Sequence, residues 1–207
     1  EPTGHEMAAA AFMVKPAFRH VDAGCRRHQV IGILDLSEAL RVGETRSLTP
    51  GVFTRRTALR LKGFRALYPR PDLAARVASV PYDTVNTDEA RALARGNPVS
   101  FLHVSRAEID LPPDTSAYDE SVYRRAAANL GQLRTDGVFQ QEPESRLYVY
   151  RQRMGDHVQR GVVGCCHVDD YLSGTIRRHE KTRADKEDDR TRLAKALGAQ
   201  SGPVFLT

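Results

Sequence analysis

At 207 residues the chain has room for one large domain or two small ones, with enough interior for a real hydrophobic core. Its composition, 41% apolar and 28% charged, is ordinary for a soluble globular protein, and no apolar run approaches the ~20 residues that span a bilayer. The net charge of +5 is spread out, nine Lys/Arg against six Asp/Glu in residues 1–61 and twenty-two against twenty beyond, and Trp is absent, so nucleic acid is not expected as a partner while a small phosphorylated ligand fits.

Residues 1–61 show weak periodicity, many arginines and scattered glycines. Gln29–Leu34 reads as a strand and Ser37–Arg41 as a helix, but no chemistry stands out. His5, His20 and His28 are not spaced as a ligand set. The apolar run Met7–Val14 is too short, and lacks the flanks, to be a signal peptide. This region is read as a poorly defined extension of a main domain over 62–207.

From Phe64 onward the signals sharpen. Arg76–Val80 reads as a short strand that ends at Pro81-Tyr82-Asp83, because proline cannot donate to a ladder. Asn86-Thr-Asp-Glu89 has the form of a capping box, opening a helix that stops at Gly96. Val99–Val104 reads as a strand. Tyr118–Thr135 is the longest helical pattern, with Val122, Ala126, Leu130 and Leu133 on one stripe and Gly137 as its stop. Arg146–Met154 and His157–Val168 form a hairpin around Gly155-Asp156. Leu147 and Val149 share one face of its first strand and Tyr148 and Tyr150 the other, so that strand is expected to be covered on both sides. Gly161 and Gly164 allow close approach or a bulge. The mixture of strands and helices implies an α+β fold, a mixed sheet with flanking helices.

Cys165 and Cys166 are adjacent, so on a strand they point to opposite faces and cannot readily share a metal. With Cys25 solitary, reduced thiols and a cytoplasmic location are expected. His157 and His167 read as packing or surface residues. No metal ligands are assigned.

The most informative stretch is Ile176–Arg190, in which twelve of fifteen residues can ionise. Thr182-Arg-Ala-Asp185 has the form of a helix N-cap, Leu193, Ala194 and Leu197 supply an apolar stripe, and Gly198 a stop. His179 and Glu180 therefore fall just before a helix whose unpaired amides favour an anion. Glu180, among cations, stays ionised at neutral pH and can act as a base or hold a metal. The plainer reading is a charged helix start with a capping carboxylate.

Taken in order, Phe64-Arg-Ala-Leu67, Val80-Pro-Tyr-Asp83, Ser100-Phe-Leu-His103, Leu147-Tyr-Val-Tyr150, Ile176–Glu180 with Thr182-Arg183, Lys186–Arg190 and Gly202-Pro-Val-Phe-Leu206 resemble the bacterial domain-of-unknown-function family 1015. Some of its members are similar to the SerK free-serine kinases of the ParB/sulfiredoxin-like superfamily. The resemblance covers residues 62–207, the N-terminal part of such a domain. It implies phosphorylation of free L-serine, or of another small hydroxyl, with ATP or ADP and Mg2+. Glu180 would be the base, His179 a neighbour of substrate or phosphate, and Thr182, Arg183 and Arg190 electrostatic partners. Tyr82 and Asp83 would line the same cleft.

The family's later Asp-Gly-His-His-Arg phosphate-binding motif does not occur here. The only Asp-Gly pair, Asp136-Gly137, reads as a helix stop. Nor is there a Walker-type loop, since Gly161-Val-Val-Gly164 lacks a following Lys-Ser/Thr. The chain opens on Glu1 and closes in the apolar strand-like Gly202–Thr207, so the remainder of its own domain is expected beyond Thr207 as a missing partner, and this chain alone is expected to be inactive or nearly so. Two other readings remain open: a non-catalytic nucleotide- or partner-binding module of the ParB-like superfamily, and a structural fragment whose charged stretch is only a helix start. No membrane partner is expected.

Overall fold

The structure, a computed structural model, describes residues 12–14, 29–35, 59–177, 183–202 and 204–206. In chain order the strands are β1 (Phe12–Val14), β2 (Gln29–Asp35), β3 (Leu61–Lys62), β4 (Ala66–Pro69), β5 (Phe139–Gln141), β6 (Tyr148–Met154), β7 (His157–His167), β8 (Ala199–Gln200) and β9 (Val204–Leu206). The helices are α1 (Ala74–Val77), α2 (Thr87–Ala94), α3 (Leu102–Ser105), α4 (Glu120–Thr135), α5 (Val168–Leu172) and α6 (Ala184–Leu197), with a 3-10 turn at Ala107–Asp110. The fold is α+β, as its sequence implied.

The strands form two sheets. One runs β5-β4-β1-β8, its described pairs antiparallel. The other runs β3-β7-β2-β9, with β6 also on β7. β2 pairs antiparallel with β7 from Gln29↔His167 to Asp35↔Gly161, and parallel with β9. Two segments of residues 1–61 thus pair into the sheets, and Gln29–Leu34 is the strand its pattern predicts. Ser37–Arg41 lies outside the described residues, as do Cys25 and the histidines at 5, 20 and 28.

Helix α4 carries the core. Val122, Ala126, Leu130 and Leu133 are all buried, as the stripe predicts. Leu130 and Leu133 share a cluster with Leu67 of β4, Phe139 of β5 and Ala199 of β8. One turn back, Val122, Tyr123 and Ala126 pack on Leu193 of α6. One helix therefore joins the four-stranded sheet to α6. Each such aliphatic side chain contributes about 1.5–3 kcal/mol on burial.

Helix α2 begins as predicted. The Asn86 side chain accepts from Glu89 N at 2.9 Å and the Glu89 carboxylate accepts from Asn86 N at 2.8 Å. The predicted stops Gly96, Gly137 and Gly198 have φ of 71°, 69° and 59°, the left-handed region in which glycine pays no Cβ penalty.

Two predicted strands are helical turns. Arg76–Val80 contains the end of α1, and Val99–Val104 contains the start of α3. The reason is packing. Phe101 and Val104, three residues apart, enter the same cluster as Val77, while Leu102 enters another with Ala90 and Ala94. A strand would put Phe101 and Val104 on opposite faces, whereas a helical turn puts them on one. A short apolar run does not distinguish the two by periodicity.

The β6–β7 hairpin forms with Gly155 at φ 58° in its turn. Its expected double cover is not found. Tyr148 and Tyr150 pack with Phe64, Val163 and Cys165, but Leu147 is 51% and Val149 75% exposed. The tyrosine face is half-buried and the Leu147 and Val149 face is wet, the usual state of an antiparallel hairpin with one solvated side. Tyr148 also ties the sheets: its hydroxyl accepts from Ala66 N at 3.0 Å and donates to Phe64 O at 2.9 Å. At Gly164 a Cβ would stand 2.7 Å from Leu61 Cδ1 and 2.8 Å from Leu147 Cδ2, the close approach its sequence suggested. Cys165 and Cys166 are buried on opposite faces of β7. His167 accepts from Asp169 N at 3.2 Å and caps α5, and His157 is exposed at the hairpin end.

Candidate functional site

Helix α6 carries the described part of the charged stretch. It does not start at the predicted cap. Arg183 is the N-cap residue and makes no side-chain cap bond. Its guanidinium pairs with Asp185 at 2.8 Å. His179, Glu180 and Thr182 lie outside the described residues.

Beyond this start, Lys186, Asp189, Arg190 and Leu193 recur at helical spacing and line one cleft. Its opposite walls are Tyr82, residues 104–108 from the end of α3 into the 3-10 turn, and Tyr118, Val122 and Tyr123 of α4 and its approach. The cavity is about 50 Å³. Two residues singled out from sequence meet here: the Arg190 guanidinium carbon lies 3.9 Å from the centre of the Tyr82 ring, a stacked cation–π contact. Asp83 follows Tyr82 on the exposed side of the turn and makes no side-chain hydrogen bond or ion pair among the described residues. Arg183, with its side chain 76% exposed, does not line the cleft.

Sequence reasoning missed the carboxylate that organises this cleft. Asp189 is 6% exposed and accepts from Tyr123 OH at 2.8 Å through one oxygen. Its other oxygen accepts from Arg190 Nε at 2.8 Å and also from Nη2. Burial, then this hydrogen bond and the Asp189 charge, push the Tyr123 phenol up to about 12. The signal was available: Asp189 stands four residues before Leu193, on the stripe that faces inward. Lys186 Nζ donates to Tyr118 OH at 2.9 Å, and that bond raises its pKa.

The cleft floor holds a second buried ion pair. Arg106 Nε lies 2.8 Å from Glu108 Oε1, yet neither atom achieves hydrogen-bond geometry with any partner. The other end of the same guanidinium donates to Tyr82 O and Thr87 Oγ1, both at 3.2 Å. Arg106 therefore fixes the turn on which Tyr82 sits.

A wider depression of about 380 Å³ lies between α2 and the 3-10 turn, lined by Arg91, Arg95, Asn97, His103, Ile109 and Asp110 among others. None of the residues assigned from sequence lines it. Its His103 is engaged at both ring nitrogens, by Asp110 at 2.9 Å and by Asn97 O at 3.2 Å.

The family model described as Protein of unknown function (DUF1015) matches residues 61–207. The chain belongs to that family. Four of the family-like segments touch in pairs, Phe64–Leu67 with Leu147–Tyr150 through Tyr148, and Val80–Asp83 with Lys186–Arg190 through Tyr82 and Arg190. No curated protein and no solved structure matches the chain.

Among the described residues no group of three His, Cys, Asp or Glu is placed to hold a metal ion. Both buried carboxylates of the cleft, Glu108 and Asp189, face guanidiniums instead. The cleft is far below the ~300 Å³ at which pockets for whole organic ligands begin. No described helix is long and apolar enough to cross a membrane.

Proposed function

We propose that this family member takes part in nucleotide-dependent phosphorylation of a small hydroxyl compound, of which free L-serine is the example its resemblance implies. The observation that carries the reading is the stacking of Arg190 on Tyr82, because it joins two separately singled-out segments in one polar cleft. Glu180 stands three residues before Arg183 in the sequence.

In this reading Glu180 takes the proton of the substrate hydroxyl. The freed oxygen attacks the terminal phosphorus of the nucleotide, whose bond to the bridging oxygen breaks. Arg190, already oriented, meets negative charge without reorganising, and such alignment supplies most of the rate in phosphoryl transfer.

Heat-shift and calorimetric titrations with ATP, ADP, CTP and L-serine test the class. Joint response to serine and an adenine nucleotide supports the kinase. Response to CTP alone moves the protein to the nucleotide-switch class. The base is tested by turnover: Glu180→Gln is expected to lower kcat at least about a hundredfold, and unchanged turnover removes Glu180 from that role.

A further inference from the structure

The Tyr82–Arg190 cleft has a size, a charge and an unfinished hydrogen-bond pattern that together specify what enters it. At about 50 Å³ it has room for only a few water molecules, at roughly 10–15 Å³ each on the same measure. That suits one tetrahedral or planar oxyanion. Its ionised lining is Arg106, Lys186 and Arg190 against Glu108 and Asp189, three cations against two carboxylates. Each carboxylate already faces an arginine, and the surplus cation is Lys186, which is held by the Tyr118 hydroxyl.

Arg190 is restrained on two sides. Asp189 takes its Nε and Nη2 edge, and the Tyr82 ring lies under its plane. Its Nη1 makes no hydrogen bond among the described residues, and the side chain is 32% exposed. A guanidinium so clamped presents the remaining donors at little entropic cost. Asp189 is itself tethered to α4 by Tyr123, so the clamp moves with the core. Arg106 and Glu108 line the same cleft and pair with each other at 2.8 Å, which leaves Lys186 and the open edge of Arg190 to meet an anion.

We propose that this cleft is a subsite for a single small oxyanion, a phosphate or carboxylate group, bound by Arg190 and Lys186, with Asp189 as the residue that positions Arg190. The inference rests on the functional reading above in that it names the group which the substrate or donor brings to the same cleft.

The test is calorimetric titration of the 207-residue chain at low ionic strength with inorganic phosphate and, separately, acetate. Saturable one-to-one binding of phosphate identifies a phosphoryl subsite, and of acetate a carboxylate subsite. Arg190→Gln and Asp189→Asn are each expected to weaken that binding by about tenfold or more, and Lys186→Gln by several-fold. Arg134→Gln, the same charge change at the exposed far end of α4, leaves it unaltered. For Asp189→Asn a purely structural role lowers the melting temperature without touching affinity. Should that variant fail to fold, Arg190→Gln and Lys186→Gln decide. No saturable binding of either anion, or equal affinity in Arg190→Gln, overturns the proposal. Nucleotide and turnover are absent from this measurement, so the subsite and the kinase reading stand or fall separately.

Discussion

Tyr123 holds its proton longer than a phenol in water because burial disfavours the phenolate, and the hydrogen bond to Asp189 and that carboxylate's charge add to the effect. Its pKa lies at about 12 against the ordinary 10.0. Folding is therefore favoured fully below about pH 10, and that share is lost as pH rises from 10 toward 12, where the unfolded chain ionises and the native one does not. Tyr123→Phe is expected to make the fall in melting temperature across this interval shallower. At pH 7 it costs about 1–3 kcal/mol, because Asp189 keeps Arg190 but loses one buried partner. A denaturant titration at both pH values checks the two effects. The variant's steeper alkaline loss, rather than a shallower one, would place the shift elsewhere. At this scale the sequence identified Tyr82 and Arg190 from their segments, yet passed over Asp189. Its spacing from Leu193 put it on the inward stripe, but its pairing with Tyr123 comes from where α6 lies on α4, which no local pattern carries.

Helix α2 illustrates an element whose limits were readable. Both halves of its capping box are made, and the chain leaves the helix just before Gly96. Asn86→Ala is expected to cost about 1 kcal/mol, seen as a lower melting temperature with the far-UV signal unchanged at 25 °C. No change in stability would mean that packing of Ala90 and Ala94 alone holds the helix. Helices α1 and α3 show the opposite case. Each is a single turn, too short for periodicity to accumulate, and their apolar residues read equally well as strand. Helix α6 falls between: its stripe and its Gly198 stop were legible, while its N-cap residue is Arg183, which pairs with Asp185 and makes no side-chain cap bond.

Across the molecule, long-range ties do the joining. Arg60, next to the start of the family match, donates from its backbone N at 2.8 Å and from Nε at 2.9 Å to Asp170, which is 1% exposed in α5, just past the end of β7. Hydrogen bonds from the Arg60 side chain and backbone hold the Asp170 carboxyl below its usual range. The sign follows: the stabilisation is complete above the ordinary carboxylate range and is lost as pH falls through the depressed native value. Arg60→Ala is expected to lower the melting temperature at pH 7, and the gap to the parent chain should narrow as pH is lowered below about 4. A gap independent of pH would show that the guanidinium acts by packing alone.

The amino-acid order settled what is local: the α+β mixture, the long helix and its apolar stripe, the capping box, the hairpin and the glycine stops. These follow from side-chain spacing and backbone sterics within a few residues. Three-dimensional packing settled the rest. It chose helical turns over strands at α1 and α3, left one face of β6 wet, placed β2 between β7 and β9, and brought Tyr82 and Arg190 together over a buried Asp189. Those outcomes depend on which apolar faces cover one another, and that is a property of contacts between segments distant along the chain.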